Sequence, residues 1–218
     1  MSLVRWNKSL RIELDEIKSK FPDGGRVLDL GAGTGSSKQL FGENWEWIGI
    51  DIYPEHESVI KEDAHNLSFQ DDYFDLIISI AVFEHLHSPW IAIKEISRVM
   101  KKGAFFLGTV AFLEPEHGNS YFHMTKRGMS QILKVGSLRE VSVEPTEGWN
   151  VLTSMKMFPI PGVKYYNKLK AKLVFSMRSL LIRIRLLTLK GERKKRGLEL
   201  YNTDKYRYSG SFRFLAQK

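Results

Sequence analysis

The chain has 218 residues, 43% of them apolar, which is enough to bury one large α/β core. It has no cysteine, so a disulfide framework, a thiolate zinc site and a cysteine nucleophile are all excluded. No run of about 18 uncharged apolar residues occurs, and the N-terminus is charged with no apolar stretch behind it, so a cytoplasmic protein is expected.

Leu10, Ile12, Leu14 and Ile17 predict a helix over residues 9–20, which Pro22, Asp23, Gly24 and Gly25 end. A first strand follows near 26–30, a helix near 36–42 and a second strand near 46–51. Residues 55–60 read as a short helical stretch running into a third strand at 59–61. A fourth strand at 74–79, a helix at 89–100, a fifth strand at 104–111 and a helix at 125–135 continue the alternation, with Thr125 as cap of the last helix. Strands alternating with helices imply right-handed crossovers and an α/β, doubly wound, mostly parallel sheet. Ligands of such a sheet sit at the C-terminal ends of the strands, where Asp29, Asp51, Asp63 and Ile80 all fall.

The run Val27-Leu28-Asp29-Leu30-Gly31-Ala32-Gly33-Thr34-Gly35, followed by Trp47-Ile48-Gly49-Ile50-Asp51, has the form of a nucleoside-cofactor site. Glycines let the chain turn sharply out of a strand and let a ligand approach bare backbone, while a carboxylate at the next strand tip accepts both ribose hydroxyls. A dinucleotide fingerprint wants glycine at its first, third and sixth positions; here the sixth is Ser36. Asp29 would also set a negative charge against a pyrophosphate. S-adenosyl-L-methionine (SAM) has no phosphate and carries a cationic ammonium and sulfonium, so this carboxylate suits SAM and disfavours NAD.

Four stretches in order resemble class I SAM-dependent methyltransferases of the type 11 kind. They are the glycine run, Asp63-Ala64-His65-Asn66-Leu67-Ser68-Phe69 after the third strand, Phe74-Asp75-Leu76-Ile77-Ile78-Ser79-Ile80-Ala81-Val82-Phe83-Glu84-His85-Leu86 across the fourth, and Glu95-Ile96-Ser97-Arg98-Val99-Met100-Lys101-Lys102-Gly103-Ala104 before the fifth. Ser209-Gly210-Ser211-Phe212-Arg213-Phe214 resembles the family's closing strand. The resemblance implies a seven-stranded Rossmann-like methyltransferase fold, methyl transfer as the activity and SAM as the cofactor. Its expected contacts are Asp29, Gly31, Ala32, Gly33 and Gly35 around the glycine loop, Asp51 on the ribose, and Asp63 and Ala64 at the adenine amino group. Ile52 and Ile80 stand either against the adenine faces or in the core.

An oxygen acceptor gains from a base whose pKa lies near the working pH. His85, in the turn after the fourth strand, either takes a catalytic or positioning role or joins Glu84 in capping the next helix and ordering the loop. His117 is the second candidate. Its loop, from Glu114 to Thr125, resembles one in type 11 enzymes that often ends in Tyr-x-Arg-Tyr/Phe-Thr, with His123 here in the arginine place and Met124 in the aromatic one. Glu116 and His117 without a third fixed partner make a poor metal signature, so no metal is expected. Ser79-Ile80-Ala81-Val82 is unlike the Asn/Asp-Pro-Pro-aromatic turn of nucleobase amino-methyltransferases, and the lack of cysteine excludes base C5-methylation. The expected acceptor is a small molecule or glycan methylated at oxygen; the alternatives are an RNA-directed methyltransferase and a noncatalytic SAM-fold interaction module.

The net charge of +8 divides unevenly: residues 1–155 carry 16 Lys and Arg against 22 Asp and Glu, and residues 156–218 carry 17 against 3. The basic character belongs to the C-terminal part, as a surface for something anionic. There Tyr166, Leu169, Leu173, Met177, Leu180, Ile184 and Leu187 recur at helical spacing between Lys168, Lys172, Arg178, Arg183 and Arg185, and residues 190–197 read as a charged turn. Such a segment packs over the active site or another subunit, lies on an anionic membrane surface, or binds RNA phosphate. The expected partition is a SAM-binding core over residues 1–155, a basic helical insertion or cap over 156–205 and a closing core strand over 206–218. A cytoplasmic enzyme peripheral to the inner face of a membrane follows if the insertion meets lipid.

Overall fold

The computed structural model describes residues 6–151, 153, 154, 176, 177, 180, 181 and 184–218. Helix α1 (Lys8–Lys18) starts where the Asn7 side chain accepts the Leu10 N–H, and its Leu10, Leu14 and Ile17 are buried on one face. Strands β1 (Gly25–Leu30), β2 (Trp45–Asp51), β3 (Val59–Lys61), β4 (Phe74–Ile80), β5 (Met100–Ala111), β6 (Arg139–Pro145) and β7 (Ser211–Gln217) form one seven-stranded sheet in the order β3-β2-β1-β4-β5-β7-β6. Strands β1 to β5 pair in parallel, and β7 runs antiparallel between β5 and β6. Helices α2 (Pro89–Val99), α3 (Lys126–Val135) and α4 (Gly191–Arg207) complete the labelled elements.

Side chains alternate across the central strands into two cores. Val27 of β1 joins Leu76, Ile78 and Leu107 under α1, while Leu28 and Leu30 join Ile77 and Phe106 under Ile93 and Ile96 of α2 and Met129 and Leu133 of α3. Burial on both faces explains why these strands read as near-continuous apolar runs. Between β1 and β4 the strand order reverses, which opens a crevice at their C-terminal ends.

Several local expectations change. The helix near 36–42 is a single 3-10 turn, Ser36–Leu40: the Ser37 hydroxyl is taken by Asp29 and Gly42 follows closely. Residues 55–58 bend and turn without helix, because the His56 ring takes both the hydroxyl and the N–H of Ser58. β5 begins at Met100, which pairs with Phe74 before a register shift. Residues 190–197 are no charged turn; from Gly191 they form the start of α4, whose Arg and Lys are good helix formers. β6, an edge strand with Val143 buried and Val141 exposed, is too weakly patterned to stand out in the sequence. Thr125 does cap α3, accepting the Gly128 N–H at 3.1 Å. Of the predicted basic insertion, Tyr166, Lys168, Leu169, Lys172, Leu173, Arg178 and Arg183 lie outside the described residues; Met177, Leu180, Leu181, Ile184 and Leu187 are helical and exposed.

Candidate active site

The glycine loop is locked to the end of β2. Gly31 and Ala32 donate their N–H groups to the Ile50 carbonyl at 2.8 and 2.9 Å. Gly31 lies at φ 72°, and a Cβ there would come within 2.4 Å of Val82 Cγ2, so the turn requires glycine. The Asp51 carboxylate accepts the Gly33 N–H on Oδ2 and the Tyr53 N–H on Oδ1, both at 2.9 Å. Two backbone donors orient it and leave lone pairs on each oxygen for a diol. Beneath the loop Asp29 is buried; burial raises its pKa to about 7 against the pull of the Ser37 hydroxyl and the Trp47 indole, and nearby Asp51 adds to the rise. A carboxyl whose pKa burial raises this way is stabilised as the anion when a cation seats beside it, and disfavours a phosphate there.

The other cofactor candidates divide. Asp63 accepts the His65 N–H at 2.9 Å and pairs with His65 Nδ1 at 2.6 Å, both on Oδ1. Burial opposes its ionisation, but His65 and then His87 hold it below the ordinary carboxylate range. Ala64 has its side chain in the core, Ile52 is half exposed at the tip of β2, and Ile80 is buried at the tip of β4. A Cβ on Gly35 would meet Ser58 Oγ and Val59 Cγ2 at 3.1 and 3.3 Å, so Gly35 shapes the loop against the start of β3.

Beyond β4 the chain leaves the sheet through Ala81, a non-glycine residue at φ 57° whose N–H reaches the Thr109 carbonyl and hydroxyl at 3.2 and 3.1 Å. This bend delivers the 3-10 turn Phe83–His85. The Glu84 carbonyl accepts N–H groups from Tyr121 and Phe122 at 2.7 and 3.1 Å, tying down the loop after β5. Glu84 therefore orders that loop. The capping reading fails, since α2 begins at Pro89 behind Ser88.

Gly118 of the same loop, at φ 51°, has no side chain to push away the His85 ring, which a Cβ would meet at 3.2 Å. His117 then stands edge-on to His85, with ring centroids 5.3 Å apart. His117 Nδ1 lies 2.9 Å from the Pro115 carbonyl. A carbonyl only accepts, so Nδ1 carries the hydrogen. Glu114 Oε2 is 3.9 Å from that Nε2, and Glu114 Oε1 accepts the Trp149 indole N–H at 2.6 Å.

These pieces enclose a cavity of about 670 Å³. Asp29 and residues 31–34 form one side, Ile80, Ala81 and residues 109–111 its floor, Glu84, Glu114 and His117 its far end, and Trp6, Asn7 and residues 146–149 close it. Gly35, Asp51, Ile52, Asp63, Ala64 and His85 lie outside this wall. Among the described residues its ionisable lining is Asp29, Glu55, Glu84, Glu114, Glu147 and His117, with no lysine or arginine. Sequence reasoning missed Thr109, Glu114 and Trp149 as wall residues; Glu114 lay in the loop singled out for His117, whereas nothing local marks Trp149.

Residues 28–108 match the family model described as methyltransferase domain, of the type 11 kind. That segment is similar to the methyltransferase domain of class I SAM-dependent enzymes. The chain's sheet and flanking helices are those of the family's Rossmann-like fold: it is similar to a SAM-dependent methyltransferase structure from Archaeoglobus fulgidus, with TM-score 0.58 and 17% identity over 96% of this chain and 94% of that one. Among curated proteins, a tRNA (carboxymethyluridine(34)-5-O)-methyltransferase of Arabidopsis thaliana is 37% identical over 106 residues, 44% of this chain and 26% of that protein. A phosphatidylethanolamine N-methyltransferase of Cereibacter sphaeroides is 33% identical over 96 residues, 37% of this chain and 47% of that protein. The matches thus span about a quarter to a half of these relatives' length.

Proposed function

We propose that the chain transfers the methyl group of SAM to a hydroxyl oxygen of an uncharged small-molecule or glycan acceptor. The observation that carries this reading is the acidic lining of the cavity, without lysine or arginine among the described residues. It suits a cationic donor and repels the phosphodiesters of RNA. Bound there, SAM supplies a sulfonium methyl group, which the acceptor oxygen takes in line as the C–S bonding pair returns to sulfur.

Asp51, already oriented by two N–H groups, accepts the ribose hydroxyls; Asp63 offers Oδ2 to the adenine amino group, and Asp29 takes the ammonium. Ile80 and Ala81 at the cavity floor hold the acceptor near the methyl carbon, so alignment supplies much of the acceleration. The Glu84, His85 and His117 cluster eases loss of the acceptor's hydroxyl proton. Methyl-labelled SAM incubated with the protein and cell extract, with products read by mass spectrometry, tests this: a neutral O-methylated product is expected. Label in RNA or in an amine would overturn the acceptor class, and no transfer at all would favour a noncatalytic module.

We also propose that acceptor and enzyme meet at an anionic membrane surface. Leu180, Leu181, Ile184 and Leu187, the last 82% exposed, precede a helix α4 that begins with exposed Arg193, Lys194, Lys195 and Arg196. Apolar residues beside a basic cluster favour lipid over RNA. Among the described residues no helix is long and apolar enough to cross a membrane.

A further inference from the structure

We propose that Glu84, His85 and His117 form a binding site for a divalent first-row transition-metal cation at the acceptor end of the cavity. The inference rests on reading that end as the acceptor side. Each residue offers one ligand atom, and these atoms lie within 4.8 Å of one another. Around one cation with bonds of about 2.0–2.2 Å, donors stand roughly 3–4 Å apart, so closing by about an ångström completes the set. Two imidazole nitrogens and one carboxylate oxygen suit manganese, cobalt or zinc better than magnesium or calcium.

The surroundings are those of a ligand set. His117 gives its Nδ1 hydrogen to the Pro115 carbonyl, the arrangement that orients a metal-binding imidazole and presents Nε2 to the metal. Glu84 is 0% exposed, so its carboxylate stands out of solvent within reach of the two imidazoles. The backbone holds the three residues together from two distant segments. The left-handed Ala81 aims the turn after β4, the Glu84 carbonyl clamps the loop after β5, and Gly118 lets that loop close on His85. Glu84 and His117 line the cavity, so a cation held by the three residues would stand beside it and could polarise an acceptor oxygen there.

Full-length protein, stripped with chelator, is titrated by calorimetry with Mn²⁺, Co²⁺ and Zn²⁺ separately, and Co²⁺ binding is followed by its visible absorption. One equivalent is expected, with His85→Gln and His117→Gln each weakening it by about tenfold or more while S-adenosylhomocysteine binding stays near that of the unsubstituted protein. Since either variant could misfold, Mn²⁺ broadening of histidine ring resonances in the unsubstituted protein is a second measurement; it should fall first on His85 and His117. No binding of any of the three cations, undiminished affinity in both folded variants, or broadening centred on other histidines would overturn the site. Failure of the unsubstituted protein to bind S-adenosylhomocysteine would instead strike at the methyltransferase reading, and the cation titration is read independently of it.

Discussion

The strand-tip cavity and the C-terminal segment are electrostatic opposites within one chain. The cavity gathers five carboxylates and one imidazole among its described lining, whereas residues 156–218 hold 17 basic residues against 3 acidic ones. The first suits a cationic donor, and the proposed anionic surface would meet the second. The contrast is what the proposed division between chemistry and recruitment rests on: an acceptor recognised through its phosphates would call for basic residues inside the cavity, where the described wall has none.

The comparison breaks most decisively at the far end of the cavity. His85→Ala and His117→Ala should each lower turnover by about 10²-fold, with S-adenosylhomocysteine affinity near normal; equal loss of both properties would show that the histidines hold the fold rather than serve the acceptor. On the donor side, Asp51→Ala removes a charge-assisted contact of about 1.5–3 kcal/mol. Calorimetry should record SAM binding weaker by roughly 10- to 100-fold, and unchanged affinity in a folded variant would displace Asp51 from the ribose.

Asp29 sharpens the comparison through pH. Its folded pKa is raised from 3.8 to about 7, so the folded protein binds more protons than the unfolded chain between those values. The stability linked to this group is therefore present below the unfolded pKa and lost as pH rises through the folded one. Thermal denaturation should show Asp29→Asn abolishing that decline. A cationic ligand favours the ionised carboxyl, so SAM affinity should rise by about tenfold between roughly pH 6 and pH 8 and then level off. An affinity flat with pH would mean that the ammonium is held elsewhere.

The smallest effects belong to α4. Neutralising Arg193, Lys194, Lys195 or Arg196 to glutamine should weaken binding to anionic vesicles by about 1 kcal/mol per residue and leave SAM affinity alone. Part of the vesicle binding should survive in salt through the apolar residues. Binding to RNA instead, lost steeply with salt, would reassign the segment, and a fall in SAM affinity would dissolve the division between the two regions.

The geometry of the glycine loop was legible in the sequence because its devices are local. Gly31 and Gly33 with Asp29 on one side and Asp51 on the other mark one strand–loop–strand unit, and the hydrogen bonds that orient Asp51 come from Gly33 and Tyr53 within it. Gly35 belongs to the same run, yet whether it faces ligand or β3 depended on packing. The far end of the cavity was only partly legible. His85 and His117 were separately visible, but that Glu84 and Glu114 stand beside His117 was not, because adjacency along the chain is a poor guide to adjacency across two loops.

By itself the sequence determined what depends on periodicity and capping: the apolar strands buried on both faces, the amphipathic α1, the Thr125 cap and the parallel alternation that places ligands at strand tips. These signals arise from residues within a turn or a strand of one another, where pattern and structure are directly coupled. Tertiary structure decided what depends on contact between segments remote in sequence. The parallel register of β4 beside β5 and the Glu84 carbonyl that clamps Tyr121 and Phe122 bring His117 to His85, and Trp149 reaches Glu114 from beyond β6. Backbone hydrogen bonds across loops carry no side-chain pattern, so no reading of residue types alone could assemble that end of the cavity.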